Sequence, residues 1–268
     1  LKSLDLSCWE VALNAAEPLK LDSIKRFHSK FGSCGLSFST ICGGYGMAEF
    51  TVGGTVGTYR RSHNTFMLDD AFYSGEFVGC GKPIINHDLA IVNQGHFQKD
   101  GTVGEIWFRG PSVAQGYWGN DVVTKETFHA YTADGQGPFL RTGDLGFMKG
   151  GELCIVGRLK DMIIIRGRNY APQDVEYVVE AAHEGIRKSC VAAFEFEEEG
   201  IEKLGVVCEV KRTYIKKNHD DIIQAIIENI TRENELSVSA IVLLKPGQIF
   251  KTTSGKIQRR KTKQAFLN

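Results

Sequence analysis

The spacing of hydrophobic residues shifts along the chain, and each shift marks a different kind of element. In LDSIKRFHSKFG, Leu21, Ile24, Phe27 and Phe31 recur at helical intervals, which predicts a helix that Gly32 stops. Just upstream, SCWEVALNAAEPL reads as a short buried strand running into a turn at Pro18. GLSFSTICGGYGMAE reads as a strand that breaks at its glycines. Residues 50–78 are rich in Gly, Thr and aromatics and show no period, the mark of a long irregular connection that is functional or mobile. From Gly79 the pattern is all β: HDLAIVN, GTVGEIWFRG, GPFLRTGDLGFM and GELCIVGR are short apolar runs between Gly, Asp and Asn turns.

The period changes again near residue 161. KDMIIIRG predicts a strand, and Pro172 stands where the first turn of a helix accepts a proline. Val175, Val178, Val179 and Ala182 follow at i, i+3, i+4 and i+7, with Gly185 ending the run. Strands SCVAAFEF and LGVVCEV come next. HDDIIQAIIENITREN then places Ile222, Ile223, Ile226, Ile227 and Ile230 on one helical face, and AIVLLKPG is a last strand before a basic tail. The order β-β-α-β-β-α-β predicts a small α+β domain, preceded by the β-rich end of a larger one. Arg158-Leu159-Lys160 falls at the seam.

Composition narrows the class. A chain of 268 residues with 42% hydrophobic and 24% charged residues has the makeup of a globular protein with real cores. No apolar run approaches the roughly 18–20 residues of a membrane span, and no signal peptide is visible. Lys+Arg and Asp+Glu are equal at 32 each, so charge balance gives no argument for a nucleic-acid partner. The seven cysteines are scattered, with no CxxC pair, which reads as reduced thiols in a cytoplasmic protein. The first residue is Leu1, and the chain starts inside a structured-looking stretch, the mark of a fragment of a longer protein.

Several short stretches could carry chemistry. In GYGMAE, Tyr45 follows a turn; it is either a buried ring or one laid on a planar base, a contact of about 1–3 kcal/mol. Glu49 could hold Mg²⁺ bound to phosphate oxygens. Asp144 of RTGDLG, expected in a tight turn, either caps its own backbone or accepts two ribose hydroxyls. Arg158 of GRLKD is either a surface ion-pair partner or part of that site. In KTTSGKIQRR, Lys256 is no phosphate-loop lysine, because Phe250 stands where the leading Gly belongs and Ile257 where Ser or Thr belongs. Six cations and no acid in residues 251–268 leave a nucleic-acid tail open on charge alone, but only Phe250 and Phe266 could offer stacking.

Taken in order, NAAEP, GYGMAE, GEIWFRGPSVAQGYW, RTGDLG, GRLKDMIIIRGRNYAPQDVE and TTSGKIQRR closely resemble the successive core motifs of the adenylate-forming superfamily. GPSVAQGYW, IIIRGRNYAPQDVE and Ala48 look most like its fatty acyl-AMP ligase branch. The resemblance implies an α/β and α+β protein: residues 1–160 as the C-terminal part of the large AMP-binding domain, and 161–268 as a small mobile α+β domain carrying the catalytic lysine. It implies ATP-dependent conversion of a fatty acid to acyl-AMP, with an acyl carrier protein or polyketide synthase as acceptor. Long-chain acyl-CoA synthesis from coenzyme A is the alternative, and a non-catalytic nucleotide-binding or interaction module is the alternative of another class.

The resemblance also implies residue roles. Ala16, Glu17 and Pro18 would wall the adenine, and Tyr45 would stack on it within the Gly46-Met47-Ala48 turn. Glu49 would hold Mg²⁺, Asp144 would grip the ribose hydroxyls with Arg158 nearby, Lys160 would be the hinge, and Lys256 would reach the reacting carboxylate and α-phosphate. Arg259 and Arg260 read as surface charge facing an acidic carrier. Two departures stand out. The superfamily's Ser/Thr/Gly phosphate loop lies upstream of NAAEP and is not in this sequence, so the chain alone is expected to adenylate poorly. The branch carries an insertion after its Tyr-Glu motif, and residues 50–78 occupy that place.

Overall fold

The computed structural model describes residues 3–57, 64–69 and 72–268. Contacts divide the chain into two compact units: residues 1–70 with 74–159, and residues 71–73 with 160–268.

In the larger unit, β1 (Ala12–Asn14) and β2 (Ile41–Tyr45) are parallel, with Asn14 opposite Gly43, and α1 (Leu21–Phe31) is the crossover between them. Ile24 of α1 packs with Leu36, Ile41 and Val78 in one core cluster, while Phe27 stays exposed. β1 is not the buried strand its composition suggests: Leu13 is exposed. β2 runs through Gly43 and Gly44 and breaks only at Gly46. A side chain at Gly46 would put its Cβ 1.5 Å from the Val52 carbonyl oxygen, so that turn admits only glycine.

β3 (Thr55–Val56) continues the sheet from β2, and β4 (Thr65–Asp69) with β5 (Ser74–Val78) forms an antiparallel hairpin. The 50–78 segment therefore contains regular structure where an irregular connection was expected; parts of that expectation, at 58–63 and 70–71, lie outside the described residues. β6 (Lys82–Pro83) closes the first sheet in the order β1-β2-β3-β6.

β7 (Asp88–Asn93), β8 (His96–Phe97), β9 (Gly104–Arg109), β10 (Leu140–Lys149) and β11 (Glu152–Arg158) form an antiparallel sheet ordered β11-β10-β9-β7-β8. The expectation of strands alone fails between β9 and β10. There α2 (Asp121–Phe128) forms, capped by the Asn120 side chain, which accepts the Val123 N–H at 3.3 Å, and sealed by buried Phe128. Phe50, Ile91, Ile106, Phe108, Phe128, Leu140 and Leu153 make the core, with Tyr45 and Met47 packed on it.

The smaller unit has the predicted order. β12 (Ile163–Ile165) and β13 (Arg168–Tyr170) pair, and α3 (Pro172–Ala182) starts on its proline. β14 (Ile186–Glu198) and β15 (Ile201–Val210) are antiparallel. α4 (Asp220–Asn234) leads to β16 (Val238–Leu244), which is parallel to β15. Ile222, Ile226 and Ile230 are fully buried, each contributing about 1.5–3 kcal/mol by leaving water. The basic tail is itself a helix, α5 (Arg259–Leu267), whose Phe266 ring packs against Phe194 and Phe196.

Candidate functional site

β1 and β2 are parallel, and ligands of such sheets bind beyond the carboxyl ends of the strands. β1 ends at Asn14, opposite Gly43 and two residues short of Ala16. Ala16 adopts φ +73°, a conformation that costs a non-glycine residue energy. Ala16 and Glu17 are exposed, and Pro18 is half-buried. The Tyr45 ring lies near-parallel to Phe108, centroids 6.1 Å apart, and tilted against Phe50 at 6.0 Å. Its hydroxyl donates to Asp144 Oδ2 at 2.7 Å. Burial and then the Asp144 charge push the phenol far above its ordinary range, so the group stays a donor.

Asp144 is not in a tight turn between strands, as its sequence suggests; it sits inside β10. Arg141 pairs with Trp107 and Leu145 with Glu105, so β10 fits Thr142, Gly143 and Asp144 opposite the single residue Ile106. This bulge re-aims the aspartate. Gly143 takes φ +71°. Thr142 Oγ1 donates to the Ile106 carbonyl at 2.7 Å and accepts the Asp144 N–H at 3.1 Å. Across the pair with β11, Arg158 Nε lies 3.2 Å from Asp144 Oδ1.

Glu49 belongs to a single helical turn, Ala48–Phe50, that follows Gly46 and Met47; Ala48 is exposed. Tyr117, a residue given no role by sequence reasoning, donates its hydroxyl to Glu49 Oε1 at 2.8 Å. The 111–118 loop is pinned there by Ala114 N–H on the Glu49 carbonyl at 2.8 Å and by Ser112 Oγ on the Phe50 carbonyl at 3.0 Å. Burial, then Glu49, pushes the Tyr117 phenol up to about 12, and the Arg158 guanidinium opposes the shift at both Tyr117 and Tyr45. Tyr45, Asp144 and Arg158 thus form one contact group and Tyr117 with Glu49 a second, and the Arg158 charge acts on the tyrosines of both. Among the described residues no group of three or more His, Cys, Asp or Glu could cage a metal. A lone carboxylate such as Glu49 fits Mg²⁺ only in the mode in which substrate phosphates and water supply the other ligands.

Lys160 and Lys256 belong to the smaller unit. Lys160 is exposed in the turn after β11. Lys256 is exposed on a tight loop: Lys251 and Ile257 bridge its base, Thr252 N–H donates to the Lys256 carbonyl at 2.8 Å, and Lys256 N–H to Thr252 Oγ1 at 3.1 Å. Gly255 turns the loop at φ +85°. The reading of Arg259 as surface charge is corrected. Its side chain is mostly buried and binds Glu176 through two nitrogens at 2.6 and 2.7 Å. Arg260 is exposed.

Two family descriptions match this chain: AMP-binding enzyme over residues 1–118, and the AMP domain of Disco-interacting protein 2-like proteins over residues 160–268. The chain belongs to the AMP-binding, adenylate-forming superfamily. Its relatives include the medium-chain-fatty-acid–[acyl-carrier-protein] ligases JamA of Moorena producens (strain JHB) and TtuA of Teredinibacter turnerae (strain ATCC 39867 / T7901). JamA is 42% identical across 99% of this chain and 48% of its own length. TtuA is 36% identical across 96% and 44%. A structure from work on fatty acyl-adenylate ligases of E. coli and L. pneumophila superposes with a TM-score of 0.85 at 30% identity, covering 99% of this chain and 48% of that one. The chain spans about half the length of the curated relatives it matches. No helix among the described residues is long and apolar enough to cross a membrane.

Proposed function

We propose that the protein carrying this chain activates a fatty acid with ATP and passes the acyl group to an acyl carrier protein, free or within a polyketide synthase. The observation that carries the reading is the Tyr45–Asp144–Arg158 cluster built on the carboxyl end of the parallel strand β2. Adenine stacks on Tyr45 against the Ala16-Glu17-Pro18 wall, and Asp144 accepts the ribose hydroxyls. The carboxylate oxygen of the fatty acid attacks the α-phosphorus; the bond to pyrophosphate breaks, leaving acyl-AMP. The carrier's thiol then attacks the acyl carbonyl and AMP departs.

Negative charge grows on the phosphoryl oxygens in the first step. Lys256 stabilises that charge more in the transition state than in the ground state, which is what accelerates the reaction. Glu49 would hold Mg²⁺, and the ion would supply charge neutralisation on the phosphates. Lys160 is the hinge of the smaller unit. All seven cysteines are free thiols, which suits the cytoplasm.

The test is ATP–pyrophosphate exchange driven by fatty acids of graded length in the full-length protein, followed by transfer to holo-acyl carrier protein or coenzyme A. Exchange with carrier-protein acylation is the expected result. Acylation of coenzyme A alone would move the assignment to an acyl-CoA synthetase, and no exchange with any acid would remove the catalytic reading.

A further inference from the structure

Glu105 is the one charged residue among the buried positions of its strand, beside Gly104, Ile106, Trp107 and Phe108. It lies on β9, the central strand of the five-stranded sheet, and its side chain is 11% exposed. A charge in such a place is costly unless every lone pair finds a donor. Here the donors are specific. Oε2 accepts Trp107 Nε1–H at 2.9 Å and Arg141 Nε and Nη2, both at 2.9 Å. Oε1 accepts the backbone N–H of Gly143 at 3.1 Å.

Gly143 is the middle residue of the bulge that presents Asp144. Thr142 pegs one side of that bulge to the Ile106 carbonyl, and the Leu159 N–H holds the Gly143 carbonyl at 2.9 Å. The charged peg from beneath is Glu105, which ties the bulge to Arg141 and Trp107 at once. A bulge left to relax would return toward a regular strand, in which Asp144 would no longer be aimed at Tyr45 and Arg158.

We propose that Glu105 is a positioning residue for nucleotide binding: by holding the Gly143 N–H and Arg141 together it fixes the bulge that aims Asp144 at the ribose. This rests on the reading of Asp144 as the ribose acceptor. Glu105→Gln is the informative variant. An amide has one acceptor oxygen, so it can serve Gly143 or the Arg141–Trp107 pair but not both.

The experiment compares binding of AMP and 2′,3′-dideoxy-AMP by the full chain, parent against Glu105→Gln and Asp144→Ala. For Glu105→Gln the expected result is a loss of about tenfold in AMP affinity, the scale of one hydrogen bond to a charged group, with dideoxy-AMP unchanged. Thr142→Val, which removes the opposite peg, is expected to lose ribose-dependent affinity in the same selective way, and it decides the case if Glu105→Gln does not fold. Equal weakening of both nucleotides by the folded variant, or no weakening of either, overturns the positioning role. If Asp144→Ala itself fails to lower the preference for AMP, the ribose reading falls first.

Discussion

Two arginine–carboxylate pairs in this protein look alike in sequence and differ in structure. Arg158 Nε lies 3.2 Å from Asp144 Oδ1, with side-chain exposures of 56% and 18%. Arg259 meets Glu176 through two nitrogens at 2.6 and 2.7 Å, with exposures of 17% and 10%, and Asp161 stands 3.7 Å away. The second pair is closed. Its donors are spent inside the smaller unit, and Glu176 also accepts the Ala193 N–H at 3.1 Å. The first pair is open to solvent on the arginine side, and its aspartate accepts the Tyr45 hydroxyl. A pair that is geometrically complete and dry serves the fold. A pair whose arginine stays in contact with water is the one a ligand can join.

The sharpest way to break this contrast is to remove each arginine. Arg259→Ala strands the Glu176 charge, and urea denaturation is expected to show a loss of about 3–5 kcal/mol. Arg158→Ala in the same assay is expected to cost only about 0–1 kcal/mol, while AMP affinity falls. Equal stability losses from the two substitutions would erase the distinction.

A smaller effect concerns Tyr117. Burial, and next the bond to Glu49, raises its phenol from 10 to about 12. The folded state therefore holds this proton more tightly than the unfolded state. Its stabilising contribution is complete below pH 10, declines as pH rises toward 12, and is gone above that. Absorbance titration of the folded chain against Tyr117→Phe should assign a phenolate step near pH 12 to this residue. A step near pH 10 would show that the Glu49 contact is absent in solution.

These pairs also show what was legible in the sequence. The helical and strand periods located α1, α3, α4 and the longer strands β2, β7, β9–β12 and β14–β16, because amphipathic spacing is local, and missed the hairpin β4–β5 and the short β3, β6, β8 and β13. α2 was missed: it is eight residues long, and its Val122, Val123 and Thr124 are β-branched, so its cap at Asn120 was the stronger signal. The order of motifs pointed to Tyr45, Glu49, Asp144 and Arg158; Tyr45, Asp144 and Arg158 are in contact, while Glu49 bonds to Tyr117. Tyr117 was quoted within a motif yet given no role, since its partner Glu49 is 68 positions away. Arg259 was misjudged for the same reason. A run of cations looks like surface until Glu176, 83 positions earlier, is found beside it.

Under the proposed function, Lys256 on the 251–257 loop stabilises the charge that develops during acyl-adenylate formation. Single-turnover formation of fatty acyl-AMP by the full-length protein and its Lys256→Ala variant tests it most directly. The expected rate is lower by about two to three orders of magnitude, with AMP binding and the denaturation midpoint unchanged. An unaltered rate of acyl-AMP formation in Lys256→Ala would contradict it.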